Sequence, residues 1–413
     1  MRIRQSVAAL LCAAFLNGNT AAFANPSDGV TPVSLASAAR SSSKDFSVHS
    51  AEDKKQKKRE AKHKAKQDEK RGLEAPLVED YLIRGKLAEG KNVLLAKLKE
   101  NPQDDNTRFG LGILEFISAL ERLEQDLYKY GLRSLSTHGL RPPILRLPVE
   151  ENPNPEVFSY LHARKMLETF RDNLLESEGT LAAIKDPALK IPLHFGLIKL
   201  DLNADGQASE EESLWKLYAN ISGNTHLNEG KKFYIAFDRG DVHWMRGYCH
   251  LISSLCDVYL AHDSKETFEC TAHMFFSRVD SPYKFLKTGK RIHRIGQDDM
   301  DLVDLIWLVH LIRWEVMQPE RMEAALRHLE AVVAQSKESW KFILAENDDD
   351  HEWVPNPRQT GVMPNMHVTD EMVTSWSELM DHFGKVLAGE LLIPFWRGDG
   401  TQGVNVREAF LKP

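Results

Sequence analysis

The sequence predicts a mainly α-helical protein, a multi-helix array or bundle that contains one helix–loop–helix motif and ends in a small β-hairpin. Apolar residues recur at spacings of three and four through most of residues 73–389, which is the period of amphipathic helices. Only the C-terminal end instead places short apolar runs on both sides of a Gly-rich turn. Hydrophobic residues make up 42% and charged residues 27% of the 413 residues. This ordinary balance excludes collagen-like, wholly disordered and multi-span membrane proteins.

The first 24 residues have the pattern of an export signal. Arg2 and Arg4 precede an apolar stretch at 7–16, and Ala-Phe-Ala at 22–24 places small residues where signal peptidase reads them, which predicts cleavage before Asn25. The apolar run, about ten residues, is too short for a bilayer core of about 30 Å. No later run reaches the about 18 apolar residues of a membrane span. We therefore expect a periplasmic or secreted protein without a transmembrane segment after the signal is removed.

Residues 25–72 are predicted to be a disordered linker. The part at 25–50 is rich in Ser and Ala, and the part at 51–72 is a mostly basic charge run without Leu, Ile, Val or aromatic residues. This run is either a soluble spacer or an electrostatic tether to anionic lipid, lipopolysaccharide or nucleic acid, and the missing aromatic residues favour the spacer. Residues 73–413 carry 39 basic and 53 acidic residues, a net charge of −14. That balance argues against nucleic-acid binding by the main domain, 73–413.

The first helices of the main domain form a predicted hairpin. Residues 101–105, Asn-Pro-Gln-Asp-Asp, end one helix and begin the next, because Pro102 cannot continue a helix and the acids suit a new N-terminus. The stretch Gly85–Leu120 resembles one tetratricopeptide-type helical hairpin in its turn and in the Phe-Gly-Leu-Gly at 109–112. No second copy follows at a period of 34 residues, so we expect one helical hairpin within a larger α domain.

Helical periodicity continues after a Pro-rich loop. We expect an acidic and then Pro- and Gly-rich loop at 346–368 and a β-hairpin at about 390–408. The predicted helices lie near 156–178, 186–200, 210–221, 240–262, 264–277, 299–317, 319–345 and 370–389.

The most informative motif is the segment 201–212, which reads Asp-Leu-Asn-Ala-Asp-Gly-Gln-Ala-Ser-Glu-Glu-Glu. It matches the calcium-binding loop of the EF-hand family position by position. Calcium prefers six to eight oxygen ligands at about 2.3–2.6 Å, and the Gly at position six permits the sharp turn around the ion. The resemblance implies a Ca²⁺ site within a helix–loop–helix at about 187–221. The ligands that it implies are Asp201, Asn203, Asp205, Gln207 through its carbonyl, Ser209 directly or through water, and Glu212 with both carboxylate oxygens.

Two departures from the family pattern bear on the role of the ion. Position eight is Ala208, where the family usually has Ile, Leu or Val for a β-bridge with a partner loop, and no second loop of this pattern occurs in the sequence. The motif therefore resembles the lone EF-hands of exported bacterial proteins. We expect an affinity in the extracellular class, about 10⁻⁴ to 10⁻³ M, and a structural rather than a regulatory ion.

A weaker constellation surrounds Asp238 and Asp241. These acids suit the N-cap and first turn of the helix at 240–262. The alternative is an acid–base or metal site, although no zinc-binding motif supports it. The members of that alternative site would be Asp238, Asp241, His243, His250, His262 and His273.

Three cysteines remain after signal removal. Cys249 and Cys256 are seven residues apart on one predicted helix, about 10 Å along its axis, which is too far for a disulfide. Two interpretations remain. Either all three thiols are free and buried, or Cys249 or Cys256 forms a disulfide with Cys270.

Two functional hypotheses follow. The first is an exported calcium-binding helical protein whose body provides a binding or scaffold surface for a protein partner. The second is a hydrolase that acts on envelope material and uses calcium as a structural ion, with catalysis by residues such as Asp238, Asp241, His243 and His273. The sequence contains no nucleophile or phosphate-binding motif in favour of the second.

Overall fold

Amphipathic helices form most of the structure, a computed structural model. It describes residues 76–133, 151–217, 234–288, 302–362, 367–395, 397 and 402–413. The predicted signal peptide at 1–24 and linker at 25–72 lie outside the described residues. The mainly α fold class is confirmed.

Eleven α-helices and four short strands occur among the described residues. The helices are α1 Leu77–Ile83, α2 Leu87–Glu100, α3 Asp105–Lys129, α4 Tyr160–Ala182, α5 Arg239–Ala261, α6 Lys265–Thr271, α7 Phe285–Thr288, α8 Leu302–His310, α9 Pro319–Ala345, α10 Asp370–Ala388 and α11 Val406–Leu411. The strands are β1 Lys190–Leu193, β2 Ile235–Asp238, β3 Ile393–Pro394 and β4 Gly403–Val404.

Side-chain caps fix where the long helices begin. Asp104 accepts a hydrogen bond from the backbone N–H of Thr107 and starts α3, as the sequence predicts. Asp238 and Asp241 form a reciprocal capping box at the start of α5, which confirms the capping interpretation of these two acids. Helix α4 begins at Tyr160 rather than at 156, because Phe158 pairs with Val279 in a β-bridge.

The main core lies where α3, α4 and α5 pack side by side. Helix α4 contacts both α3 and α5, and α9 runs along α5 in the most extensive helix pair of the described fold. Phe109, Leu114, Leu174 and Val242 are almost fully buried there. Strands β1 and β2 pair antiparallel, with Ile191 opposite Phe237, and β1 contacts α3.

Helices α10 and α11 pack on α9 around a second apolar cluster. Leu326, Val333 and Leu387 are its buried members, and Phe383 and Phe410 pack against them. Strands β3 and β4 pair antiparallel between these helices, which confirms the predicted C-terminal hairpin. None of the described helices is both long and apolar enough to cross a bilayer.

Helix α8 differs from its prediction in length and environment. It covers nine residues of the predicted helix at 299–317, and Val303, Ile306 and Trp307 are 52%, 55% and 38% exposed. Apolar residues around the whole helix predict burial. Within the described part of the chain, Leu308 packs against buried Met274, and α8 contacts α6. Trp307 is therefore not a core residue, although it lies within an apolar run.

Candidate metal centre

The loop at 201–212 follows a strand and a 3₁₀ turn rather than a helix. Residues 190–193 form β1 and Phe195–Leu197 form a 3₁₀ turn, so the predicted entering helix at 186–200 is wrong. Lys199 pairs with Ser213 in a β-bridge across the loop ends. The chain then enters a helical turn at 214–217, where the described part of the predicted exiting helix ends. Pairing of Ile191 with Phe237 buries the apolar residues that the sequence assigns to an entering helix.

The loop itself folds around the side-chain oxygens of Asp201, Asn203 and Asp205. Asp201 accepts hydrogen bonds from the backbone N–H of Asp205 at 3.1 Å and of Gly206 at 2.9 Å. Asn203 Oδ1 also accepts from Asp205, at 3.0 Å, and Asp205 Oδ1 accepts from Gln207 at 2.8 Å. Gly206 has a φ of +87°, which L side chains rarely adopt. The carboxylates and the glycine thus produce the turn that a cation loop requires.

Glu212 closes the loop with both of its carboxylate oxygens. Oε1 accepts from the backbone N–H of Leu202 at 2.9 Å, and Oε2 accepts from Ser209 at 2.8 Å. The side chain is buried, with 5% of the residue exposed. A bidentate glutamate at position twelve is the closing ligand of this loop type, so Glu212 is held where it could close a calcium shell.

Helix α3 anchors the first residue of the loop. Glu121 accepts a hydrogen bond from the Asp201 N–H at 2.8 Å, and Gln125 donates one to the Asp201 carbonyl at 2.7 Å. Burial raises the pKa of Glu121 to about 7. The hydrogen bond from the Asp201 N–H opposes this shift, and the negative charges of Asp201 and Glu212 add to it. Three acidic side chains therefore share a partly buried region, and a cation there would relieve their repulsion.

The turn between α1 and α2 packs against position eight of the loop, Ala208. The Lys199 N–H donates to the Leu82 carbonyl at 3.0 Å. Gly85 has a φ of +63°, and a Cβ added there would lie 2.1 Å from the Cβ of Ala208. The close backbone approach explains the small residue at position eight, because Ile, Leu or Val would collide with this turn.

We expect Gly85→Ala to destabilise the protein by about 1–3 kcal/mol, since it adds a strained backbone to a steric overlap with Ala208. Thermal unfolding measures the change. Gly179→Ala is the matched control: Gly179 is exposed on α4 and an added Cβ meets nothing within 4 Å. Ala at that helical position should stabilise by about 0.5–1 kcal/mol. Equal effects of the two substitutions would contradict the close packing of turn and loop.

The six predicted ligand residues lie in one loop, but the carboxylates among them do not surround a common centre. Among the described residues, the carboxylates of Asp201, Asp205 and Glu212 do not all come within 4.8 Å of one another. Their oxygens instead accept the loop N–H bonds given above. Coordination of an ion therefore requires these side chains to rotate toward a common centre.

A second acidic cluster, which the sequence analysis missed, lies at the start of α5. One oxygen each of Asp238, Glu346 and Glu352 lies within 4.8 Å of the others. Asp241 is fully buried beside them, and its Oδ2 accepts from the Asp238 N–H at 3.1 Å. Glu346 and Glu352 belong to the acidic loop after α9. The acidic composition of this loop was the only feature of the sequence that pointed to the cluster. The sequence does not show that the loop folds back onto α5.

Protonation explains how these carboxyl groups lie so close together. Burial, together with the charge of Asp238, raises the pKa of Glu346 to about 9. Burial also raises the pKa of Glu352 to about 7, although an N–H from Asp350 opposes the shift. Burial and Asp238 raise the pKa of Asp241 as well. Shared protons therefore account for the cluster, and the cluster alone does not indicate a bound cation.

Glu346→Gln should stabilise the protein at alkaline pH. A carboxyl group whose pKa is higher in the folded state costs increasing stability as the pH rises above its ordinary value. Glutamine removes that cost, keeps an oxygen for Gln359 and can donate to Asp238. Allowing for solvent screening, we expect a gain of about 1–3 kcal/mol at pH 8 and a smaller gain at pH 5. Chemical denaturation at both pH values measures it.

The matched control is Glu378→Gln, on the exposed side of α10, which should change stability little at either pH. A Glu346→Gln gain that is absent at pH 8, or no larger there than at pH 5, would contradict the proton sharing.

The residues of the alternative acid–base site do not meet in one cleft. Asp238 and Asp241 belong to the α5 cap and the acidic cluster. His243 Nδ1 lies 2.8 Å from the Gln335 amide oxygen, and its ring stacks on Phe342. His273 Nε2 instead lies 3.6 Å from Asp304 Oδ2. The histidines therefore make separate packing contacts.

The three cysteines are free and buried, which confirms the reading as unpaired thiols. Burial raises the pKa of Cys249 and of Cys256 to about 12. Because the thiolate is the nucleophile, burial disfavours the reactive form of these two side chains.

Comparison with known proteins adds no relationship to these observations. No protein-family model matches the chain, and no curated protein or solved structure matches it either. The resemblances to an EF-hand loop and to a tetratricopeptide-type hairpin therefore depend on the residues and their geometry alone.

Proposed function

We propose that this chain is an exported helical protein that binds one calcium ion in the loop at 201–212. The observation that carries the proposal is the geometry of Glu212. Its two oxygens reach opposite sides of the loop, to the N–H groups of Leu202 and Ser209, at the position where a bidentate ligand is needed. The Asp201 and Asn203 oxygens face the interior of the same turn, where they accept from Asp205.

The ion has a structural role in this proposal. The loop is fastened to α3 through Glu121 and Gln125 and to the α1–α2 turn through Leu82. Calcium would hold these contacts together by replacing repulsion between buried acids with coordination. The lone loop has no partner loop of its own kind, and the α1–α2 turn lies at its position eight. Such an arrangement suits a stabilising ion better than a switch.

The helical body is proposed to act as a binding or scaffold surface for a protein partner. The exposed apolar side of α8, with Val303, Ile306 and Trp307, supports this part of the proposal, because large exposed apolar patches commonly mark interaction sites. The rival function as a hydrolase receives no support from the geometry, since His243 and His273 have separate partners.

Calcium titration of the full chain by calorimetry tests the proposal. We expect one site per chain with a dissociation constant of about 10⁻⁴ to 10⁻³ M. Absence of binding up to about 10 mM, well above that range, would overturn it.

A further inference from the structure

Two histidines face each other across the interface between helices α5 and α9. His250 lies on α5 and His328 on α9, and their Nδ1 atoms are 3.0 Å apart. Their side chains are 14% and 16% exposed. At this distance one nitrogen donates a proton and the other accepts it, because two N–H groups would collide and two lone pairs would repel.

The other nitrogen of each ring faces a carboxylate. His250 Nε2 lies 3.4 Å from Glu178 Oε1 on α4, and Glu178 also accepts from Arg246 at 2.9 Å. His328 Nε2 lies 3.7 Å from Asp257 Oδ2 on α5. Asp257 is fully buried, and this oxygen accepts no hydrogen bond within the described part of the chain. A buried carboxylate oxygen without a donor is costly, so a proton on His328 Nε2 is favoured.

Counting protons shows which charge state satisfies every atom. One N–H is needed toward Glu178, one between the two rings, and one toward Asp257. Two neutral imidazoles supply only two N–H groups, which leaves one contact without a proton. One excess proton supplies the third. A second excess proton places two N–H groups against each other in the 3.0 Å gap between His250 and His328.

The charges around the pair favour the same state. The formal charges of the side chains that face the two histidines sum to −1. One excess proton on the histidines therefore makes the whole network neutral. Arg327, which also influences His328, is itself paired with Glu323 at 3.8 Å. The facing groups are Glu168, Arg171, Asp172 and Glu178 on α4, Arg246 and Asp257 on α5, and Arg321 on α9.

A bound metal ion does not explain the pair. Within the described residues, no third His, Cys, Asp or Glu ligand atom completes a group with His250 and His328 inside 4.8 Å. We propose that the two histidines share one excess proton in the folded protein, and that a second proton, taken up on acidification, releases α9 from α4 and α5.

Acidification acts on His328 in the direction that this device requires. Burial lowers the pKa of His328, and neighbouring His250 lowers it further, against the opposing effect of Asp257. An unfolded histidine accepts its proton near pH 6.5, whereas the folded pair accepts the second proton only at lower pH. The open form therefore binds more protons in that window. Stability of the α5–α9 interface is present above about pH 6.5 and is lost as the pH falls through the lowered pKa of His328.

Backbone hydrogen exchange of the full chain, between pH 7.5 and 5.5, tests the device. After correction for intrinsic exchange, the opening constant of α9 should rise below about pH 6.5 by up to about tenfold per pH unit. His328→Gln should remove this dependence. Exposed His382→Gln, on α10, is the matched control and should retain it. An opening constant that does not rise, or the same rise in His328→Gln as in the control, overturns the proposal.

A second measurement uses the unaltered chain, so it does not require a variant that folds. Deuterium exchange at the imidazole C2 carbons, followed by mass spectrometry on the unaltered chain, gives the titration of each histidine. His328 should titrate below about pH 6.5, the ordinary value for an unfolded histidine. Titration of His328 at or above that value overturns the proposal.

Discussion

Glu212→Gln should weaken calcium binding by at least about 100-fold, so that no binding remains below about 10 mM. The substitution removes one of the two ligating oxygens and the negative charge of the closing ligand. It also removes an acceptor for Leu202 or Ser209. Calorimetric titration of the variant measures the loss.

Glu211→Gln is the matched control for this prediction. Glu211 is the adjacent residue with the same side chain, but its side chain is 73% exposed and pairs with Lys216 outside the loop. It should bind calcium with nearly the affinity of the unaltered chain. Equal affinities of the two variants would show that Glu212 is not a ligand.

Calcium should also raise the melting temperature of the unaltered chain and of Glu211→Gln, but not of Glu212→Gln. An ion that binds only the folded state stabilises by about 1.4 kcal/mol at ten times its dissociation constant. A structural ion should produce this rise without new binding of an apolar dye. A large increase in dye binding with calcium would instead favour a switch.

Asp257→Asn should be among the most destabilising single substitutions, with a loss of about 3–5 kcal/mol. Asp257 is fully buried, and its Oδ1 accepts from Arg171 at 2.7 Å and from Arg321 at 3.0 Å. The variant leaves two guanidinium groups without their shared buried counter-charge. Thermal and chemical unfolding should both show the loss, and we expect the melting temperature to fall by about 10 °C.

Asp172→Asn is the matched control, because it removes the exposed ion-pair partner of Arg171. Asp172 also accepts from Arg171, at 2.6 Å, but its side chain is 58% exposed. Exposed ion pairs contribute about 0–1 kcal/mol, so this variant should be almost as stable as the unaltered chain. Comparable losses from the two substitutions would mean that burial of Asp257 does not set its contribution.

The loop at 201–212 shows how far spacing alone predicts a local conformation. Every proposed ligand from Asp201 to Glu212 lies in one turn, because alternate acids and a glycine impose a local geometry that needs little from the rest of the fold. The predicted entering helix is wrong for the opposite reason. Ile191 pairs with Phe237, which lies 46 positions further along the chain, and such a partner cannot be read from local periodicity.

Long helices with strong periodicity were predicted closely. Helix α9 has the predicted bounds, α5 is displaced from its predicted bounds by one residue at each end, and α10 ends one residue before its predicted end. Their apolar faces and caps such as Asp238 are local signals. For α8 the apolar sequence predicts burial, yet several of its apolar side chains are exposed. An apolar composition predicts burial only where another element covers each side of the helix.

By itself, the sequence determined the helical class, the caps that start the helices and the turn of the loop at 201–212, since these depend on residues within a few positions of one another. Only the tertiary structure decided which distant residues meet. It placed Gly85 against Ala208, gathered Asp238 with Glu346 and Glu352, and set His250 against His328 between two carboxylates. These contacts join residues from about 80 to more than 120 positions apart, and the packing of helices, rather than any local pattern, fixes such distances.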